Sequence, residues 1–360
     1  MSLSFWKDKK VLMTGHTGFK GSWLSLWLQN LGAKIIGYSL PPPTQPSLFE
    51  IARADKKMVS IIGDVRNFDF LKKVFIEERP EIILHMAAQS LVRHSYLNPV
   101  ETYSTNIMGT VNVLEAARQT KSAKVIIIVT SDKCYENKGS VWSYPEYEPM
   151  GGYDPYSSSK GCAELVTAAY RNSFFNPNDY QQHGTALASV RAGNVIGGGD
   201  WAEDRLIPDI MRAIMNGRKL FLRNPDSIRP WEHVLEPLHG YIMLAEKLWE
   251  EGPLYSEPWN FGPQDADSKP VSWIVEKVSH LWGSNIQYKL DDRFNLHEAR
   301  SLRLDCSKAK LKLHWSSYWN LDTALREVVS WYKAYYSQRE MHRFTLDQID
   351  TYSSHQTILN

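Results

Sequence analysis

Cysteine is scarce: Cys134, Cys162 and Cys306 are the only three in 360 residues. They are too few and too scattered for a disulfide framework or a zinc site, and a reducing cytoplasm is expected. No run of about 18 apolar residues occurs, so no membrane-spanning helix is expected. Met1 to Lys10 is short, mixed and charged, and does not read as a secretory leader. Charge of one sign is lacking too. There are 41 Lys and Arg against 40 Asp and Glu, a net charge of +1. That balance gives no electrostatic reason to expect nucleic acid or an anionic membrane as a partner. Internal repeats and long low-complexity segments are absent.

The composition present is that of a globular chain, 43% hydrophobic and 22% charged. The length allows two domains, or one large domain with a subdomain. The 13 Trp and 18 Tyr offer flat faces suited to ring-shaped ligands, although aromatic residues in such numbers mostly build core and interfaces.

Three stretches carry chemistry. The first is Lys10-Val-Leu-Met-Thr-Gly15, an apolar strand that runs into Gly15-His-Thr-Gly-Phe-Lys-Gly21 and then into a helix over 22–31. Strand, glycine turn, helix is the setting in which a dinucleotide binds. Gly15 permits the turn, Gly18 the approach of the pyrophosphate, and Gly21 close packing of helix on strand. The helix N-terminus then offers free N–H groups to phosphate. The second strand, 33–39, ends without the acid that holds an adenosine ribose and without an arginine for a ribose phosphate, so NAD and NADP are not separated there.

The second stretch is Val125 to Val129, five β-branched apolar residues. A short run apolar on both faces predicts a strand buried on both sides. Thr130, Ser131, Asp132 and Lys133 follow, at the end of the strand where open α/β sheets bind ligands. Cys134 beside them is expected to be a small buried residue. The third stretch is a helix from about 153 to 175 that places Tyr156 and Lys160 four apart on one face. A lysine ammonium beside a tyrosine favours the phenolate, which can take a hydroxyl proton while a nicotinamide takes hydride.

Other segments fill the pattern. Strands are expected at 58–63, 81–88, 186–190 and 219–223, and helices near Asn67 onward, at 99–118, 271–281 and 321–332. Asp64 can accept from an adenine amino group and can equally cap the helix near Asn67, two compatible roles. Ala87 and Ala88 leave room for a cofactor, and Gln89 and Ser90 would face the site. Beyond about Tyr336 the chain is polar and aperiodic and reads as a surface extension.

Gly15-x-x-Gly18-x-x-Gly21, Ser131 and Tyr156-x-x-x-Lys160 together resemble the extended short-chain dehydrogenase/reductases over roughly residues 8 to 335. Thr130-Ser-Asp-Lys-Cys-Tyr135 is similar to the active segment of the nucleotide-sugar 4,6-dehydratases. With His16 and Lys20, its Ser-Asp-Lys most resembles the branch acting on CDP-glucose.

The resemblance implies a Rossmann-type doubly wound parallel sheet with a smaller C-terminal α/β substrate-binding domain. Residues 1–190 would bind NAD, 191–335 mainly the nucleotide sugar, partly interleaved, with 336–360 as an extension. It implies Ser131, Asp132, Lys133, Tyr156 and Lys160 as catalytic, Asp132 as acid and Lys133 as base. Thr17, Phe19, Asp64, Val65, Ala87, Ala88 and Asn106 would join the three glycines, Tyr156 and Lys160 around the cofactor. Gln89, Ser90, Asn194, Arg205, Leu206, Arg229 and Arg300 would meet CDP-glucose, and no metal is called for. His233 is expected to pack rather than react.

A homodimer, possibly a tetramer, through 98–118 and 156–175 is further implied, as is a cytoplasmic place in bacterial deoxysugar and O-antigen synthesis. A 4-epimerase would share Tyr156, Lys160 and Ser131 but has no use for an acid–base pair beside the serine. A non-catalytic NAD(P)-sensing regulator would not need the intact Ser, Tyr and Lys.

Overall fold

The computed structural model describes residues 3–139, 142–217, 219–291 and 302–358. Strands β1 (Lys10–Thr14), β2 (Lys34–Ser39), β3 (Met58–Ile62), β4 (Ile82–His85), β5 (Val125–Val129) and β6 (Ala186–Ala192) come first. Then follow β7 (Asn194–Ile196), β8 (Leu220–Leu222), β9 (Ile228–His233), β10 (Pro258–Phe261), β11 (Ser268–Pro270) and β12 (Tyr288–Leu290). Seven of these form one wholly parallel sheet in the order β10-β6-β5-β4-β1-β2-β3. The order reverses between β1 and β4, and the crevice beyond the carboxyl ends of those strands is where such sheets take ligands.

β5 shows why the sheet sits where it does. Val125 to Ile128 are fully buried. Val125, Ile127 and Val129 join one hydrophobic core, and Ile126 and Ile128 join a second. The alternation of a strand thus feeds two helix layers at once, and burying each such side chain contributes roughly 1.5–3 kcal/mol. The first layer includes the helices Phe19–Asn30 and Leu235–Tyr255, and the second Phe68–Glu78 and Gly109–Thr120. At the opposite extreme, β3 is the sheet edge and is largely exposed. A smaller unit holds β11-β9-β7 as one sheet and β12-β8 as another, with helices Leu206–Asn216, Val271–Trp282 and Leu321–Tyr336 around them.

The expected strands at 10–15, 33–39, 58–63, 125–129, 186–190 and 219–223 form within two residues of those bounds. The fourth is cut short. The Thr14 hydroxyl accepts Met86 N and Ala87 N, both at 3.1 Å, which draws the chain out of the sheet after His85. The single helix expected over 99–118 is three pieces, Pro99–Tyr103, a π-helical turn Ser104–Met108 and Gly109–Thr120. The helix Leu235–Tyr255 and the strands β7, β9, β10, β11 and β12 have no counterpart in the sequence reading.

The expected surface extension after Tyr336 is instead the helix Met341–Ile358, docked on the first core. It has no clean apolar stripe, so periodicity does not reveal it. Polar bonds hold it: Trp331 Nε1 donates to Thr345 at 3.0 Å, and Tyr352 donates to Glu236 at 2.7 Å. The Glu236 carboxylate also accepts Trp319 N and Tyr318 N, at 2.8 and 3.0 Å. Burial nevertheless pushes Glu236 up to about 7, from an ordinary 4.5.

The folded chain therefore keeps a proton on Glu236 that the unfolded chain has released. Its stabilising share is complete below about pH 4.5 and is lost as pH rises through about 7. We expect the denaturation midpoint of the wild type to fall between about pH 5 and about pH 8 more steeply than that of Glu236→Gln. Equal slopes in urea unfolding would show that Glu236 is not the linked group.

Candidate active site

The glycine turn is built by backbone approach. Gly15 has φ +77°, and a Cβ there would sit 2.7 Å from Ala87 N. A Cβ on Gly21 would lie 2.1 Å from Gly15 O. Only glycine fits either place. Gly18 starts the helix Phe19–Asn30 in extended conformation and supplies no side-chain cap, so the first N–H groups are left for a ligand. Thr17 Oγ1 donates to Leu40 O at 2.9 Å and tethers the turn to the exit of β2. Gly109 lets Val65 approach, since a Cβ there would stand 2.7 Å from Val65 Cγ2.

A cavity of about 1160 Å³ opens over this turn. Gly15, Thr17, Gly18, Phe19, Gly21, Asp64, Val65, Ala87 and Ala88 all line it. The close-packed glycines and the uncapped helix end fit the pyrophosphate of a dinucleotide. The cap alternative for Asp64 fails: Asn67 caps the helix Phe68–Glu78, accepting Phe70 N at 3.1 Å. Asp64 instead grips the Arg66 guanidinium, with Nε to Oδ2 at 2.9 Å, and this holds its carboxyl below the usual value.

Asn106 lies in the π-helical turn and is nearly fully buried. It braces the wall behind the cleft, exchanging bonds with Gln89 N (2.8 Å) and Gln89 O (3.0 Å) and donating to Ser159 (2.8 Å). The Gln89 amide is likewise engaged inside the chain, donating to Leu91 O and Thr102 and accepting Leu91 N. Gln89 lines the cavity, and Asn106 braces the loop after β4 from behind it.

Past the end of β5, Asp132–Cys134 form one 3-10 turn with Ser131 as its cap. Ser131 Oγ accepts Lys133 N at 3.2 Å and donates to Asp132 Oδ1 at 2.9 Å. Asp132 is 5% exposed. Burial raises its carboxyl, opposed by the Lys133 charge, the Ser131 hydroxyl and the Arg229 charge, and burial prevails. A lysine charge beside an aspartate favours the carboxylate. Here the low-dielectric surroundings favour the neutral acid.

Across the cleft, the helix Pro155–Ser173 begins with Pro155 at its first position and Asp154 as cap, accepting Ser157 N at 2.9 Å. Tyr156 N donates to Ser95 Oγ at 3.2 Å, which fixes the tyrosine's turn against a neighbouring helix. Burial pushes the Tyr156 phenol up to about 12, while its hydrogen bonding with Ser131 and the Arg205 charge draw it down. Lys160 donates to Val129 O at 3.2 Å. Burial, then the Lys20 charge, brings Lys160 down to about 8. The expectation that Lys160 lowers the tyrosine is corrected accordingly. Lysine's bond goes to the last carbonyl of β5, and desolvation dominates the phenol.

The same cavity is lined by Gln89, Ser90, Asn194, Arg205, Leu206 and Arg229. Ser90 and Arg205 meet directly: Nη2 donates to Ser90 Oγ and Nη1 pairs with Asp200, both at 3.0 Å. Arg300 lies outside the described residues. Arg93, paired with Asp204 at 2.7 Å, and Arg223 also line the cavity and were not foreseen. No local pattern marks them, because each reaches the cleft only through the tertiary fold.

Comparison with known proteins agrees with this geometry. A family model described as GDP-mannose 4,6 dehydratase matches residues 12–328. A CDP-glucose 4,6-dehydratase of Salmonella typhimurium (strain LT2) is 57% identical over 351 residues, 98% of each chain. A crystal structure of dTDP-glucose 4,6-dehydratase from Bacillus anthracis in complex with NAD aligns with TM-score 0.74 at 24% identity, over 92% of this chain and 99% of that one. A UDP-glucuronic acid 4-epimerase from Bacillus cereus aligns with TM-score 0.77 at 20% identity, over 91% and 100%. The two structures speak for the fold alone. The family match, which spans the glycine turn, the β5 turn and the tyrosine helix, says more: this chain belongs to the GDP-mannose 4,6 dehydratase family.

Proposed function

We propose that the chain is an NAD-dependent hydro-lyase that removes water across carbons 5 and 6 of CDP-glucose, giving CDP-4-keto-6-deoxyglucose. The observation that carries this reading is the 57% identity, over 98% of the chain, to a protein of that activity. The buried, raised Asp132 carboxyl beside Ser131 supports it, since an elimination needs an acid that a 4-epimerase does not.

NAD, held by Gly15, Thr17, Gly18, Phe19, Gly21, Asp64, Val65, Ala87 and Ala88, would supply an acceptor and later donor of hydride. Ser131 orients the carbon-4 oxygen, and Tyr156 takes its proton. The ketone so formed acidifies the carbon-5 proton, which passes to Lys133. Asp132, whose carboxyl burial raises, protonates the carbon-6 hydroxyl as it leaves as water. A proton then returns to carbon 5 and the hydride first taken from carbon 4 would be delivered to carbon 6, so that the cycle is redox-neutral. Arg205, Arg229 and Asn194 hold the diphosphate, where guanidinium forks suit phosphate oxygens. Residues 1–190 serve the cofactor and 191–335 mainly the substrate, although β10 returns to the main sheet.

We further propose a homodimer through 98–118 and 156–175. Val100 is 80% exposed and Leu165 60%, and these apolar side chains lie on the helices concerned. The free cysteines support a cytoplasmic place, and the product suits deoxysugar synthesis of the O-antigen type. Val100→Glu should sediment as a monomer where the wild type sediments as a dimer, and an unchanged sedimentation coefficient would remove this surface from the interface.

Two measurements test the activity. Purified protein is incubated with CDP-, UDP-, GDP- and dTDP-hexoses and the products weighed by mass spectrometry. Loss of water from CDP-glucose is expected, whereas a product of unchanged mass would support the epimerase. In Lys133→Ala the substrate should still reduce the cofactor while water loss falls by about 100-fold or more. Full turnover in that variant would dismiss Lys133 as the base.

A further inference from the structure

We infer that Glu164 is a positioning residue that holds the two halves of the catalytic set in one frame. The inference rests on the assignment of Ser131, Asp132, Lys133, Tyr156 and Lys160 as that set. Glu164 stands four residues past Lys160 and eight past Tyr156 on the same helix face. Its Oε1 accepts from the Thr130 hydroxyl at 2.5 Å, directly before Ser131. Its Oε2 accepts from Ser189 on β6 at 2.7 Å and from Arg191 Nη2 at 2.8 Å. One carboxylate therefore joins the tyrosine helix to the end of β5 and to β6.

Arg191 carries the link to the other end of the catalytic turn. Its Nη1 donates to the Tyr135 hydroxyl at 2.6 Å and to Glu146 O at 3.0 Å. Tyr135 in turn donates to Asn260 Oδ1 at 2.8 Å. The turn from Ser131 to Cys134 is thus pinned at both ends by a single ion pair, Thr130 on Glu164 and Tyr135 on Arg191. Thr130 N also donates to Val190 O at 2.9 Å, so backbone and side chain share the anchor.

Stability is a poor explanation for this pair. The side chains of Arg191 and Glu164 are 3% and 4% exposed, and Arg191 Nε has no hydrogen-bond partner among the described residues. Buried ion pairs give little net stability over well-packed apolar pairs of similar volume. What an apolar pair cannot supply is direction: a fixed bond to Thr130 and another to Tyr135. Ser131 must meet the same oxygen that Tyr156 deprotonates, and a misplacement of about 1 Å can cost about 100-fold in rate.

The test replaces the pair and compares its anchors. Glu164→Leu with Arg191→Met should keep the unfolding temperature within several degrees of wild type, yet lower kcat about 100-fold with KM for CDP-glucose within about threefold. Thr130→Val, which removes the anchor on the catalytic turn, should repeat the kcat loss. Ser189→Ala, which removes only the bond from β6, should leave kcat near wild type. A folded double variant with wild-type kcat overturns the inference. Should that variant fail to fold, equal effects of Thr130→Val and Ser189→Ala overturn it. Wild-type protein run alongside separates the two claims. If it reduces its cofactor but loses no water, the dehydratase reading fails, and the same variant ratios taken on cofactor reduction decide the positioning role.

Discussion

Taking the Asp132 carboxyl out of water favours its neutral form, and three attractive influences nearby do not reverse that. Lys133, Ser131 and Arg229 each favour the carboxylate, and burial outweighs them. The proposed chemistry depends on this balance. An ionised Asp132 has no proton to give to a departing hydroxyl, and the scaffold would then be left with oxidation at carbon 4 alone. The same desolvation acts on Tyr156 and Lys160 in opposite senses, raising the phenol and lowering the ammonium. Desolvation therefore favours the protonated form of Asp132, but it hinders Tyr156 as a proton acceptor. Ser131 and Arg205 work against that hindrance at Tyr156.

The cleft that buries these groups follows from the sheet. Seven parallel strands end on one side, and the reversal of order between β1 and β4 opens the crevice there. Backbone meets backbone at Gly15 and Ala87, with Thr14 drawing the β4 exit onto the glycine turn. The tyrosine helix closes the other wall, braced through Asn106 and Ser159. The smaller unit adds the arginines. In this way the glycine turn at Gly15 and the acid–base turn at Asp132 occupy one cavity although they are more than 100 residues apart in the chain.

What was legible in the sequence is what short-range spacing expresses. The β5 run, the glycine turn and Tyr156-x-x-x-Lys160 each state their geometry within a few residues, and the structure brings all three to the same cleft. Contacts made only by tertiary packing were not legible. Nothing near Asn106 announces that its amide faces Gln89, and nothing near Lys160 announces that it reaches Val129 O rather than Tyr156. The helix Met341–Ile358 was missed for a related reason. It is held by Thr345 and Tyr352 through hydrogen bonds and ring contacts, and such a helix leaves no apolar period to read. Glu164 lay in view, one further step along the Tyr156–Lys160 face. Its meaning appears only once Thr130 and Arg191 are seen to converge on it.

The central claim is that one site oxidises carbon 4, eliminates water and returns the same hydride to carbon 6. Incubating the protein with CDP-glucose carrying deuterium on carbon 4, and locating the label in the product by nuclear magnetic resonance, tests it most directly. Deuterium on carbon 6 of a 4-keto-6-deoxy product is the predicted result. Deuterium kept on carbon 4 of a product that has lost no water would contradict it.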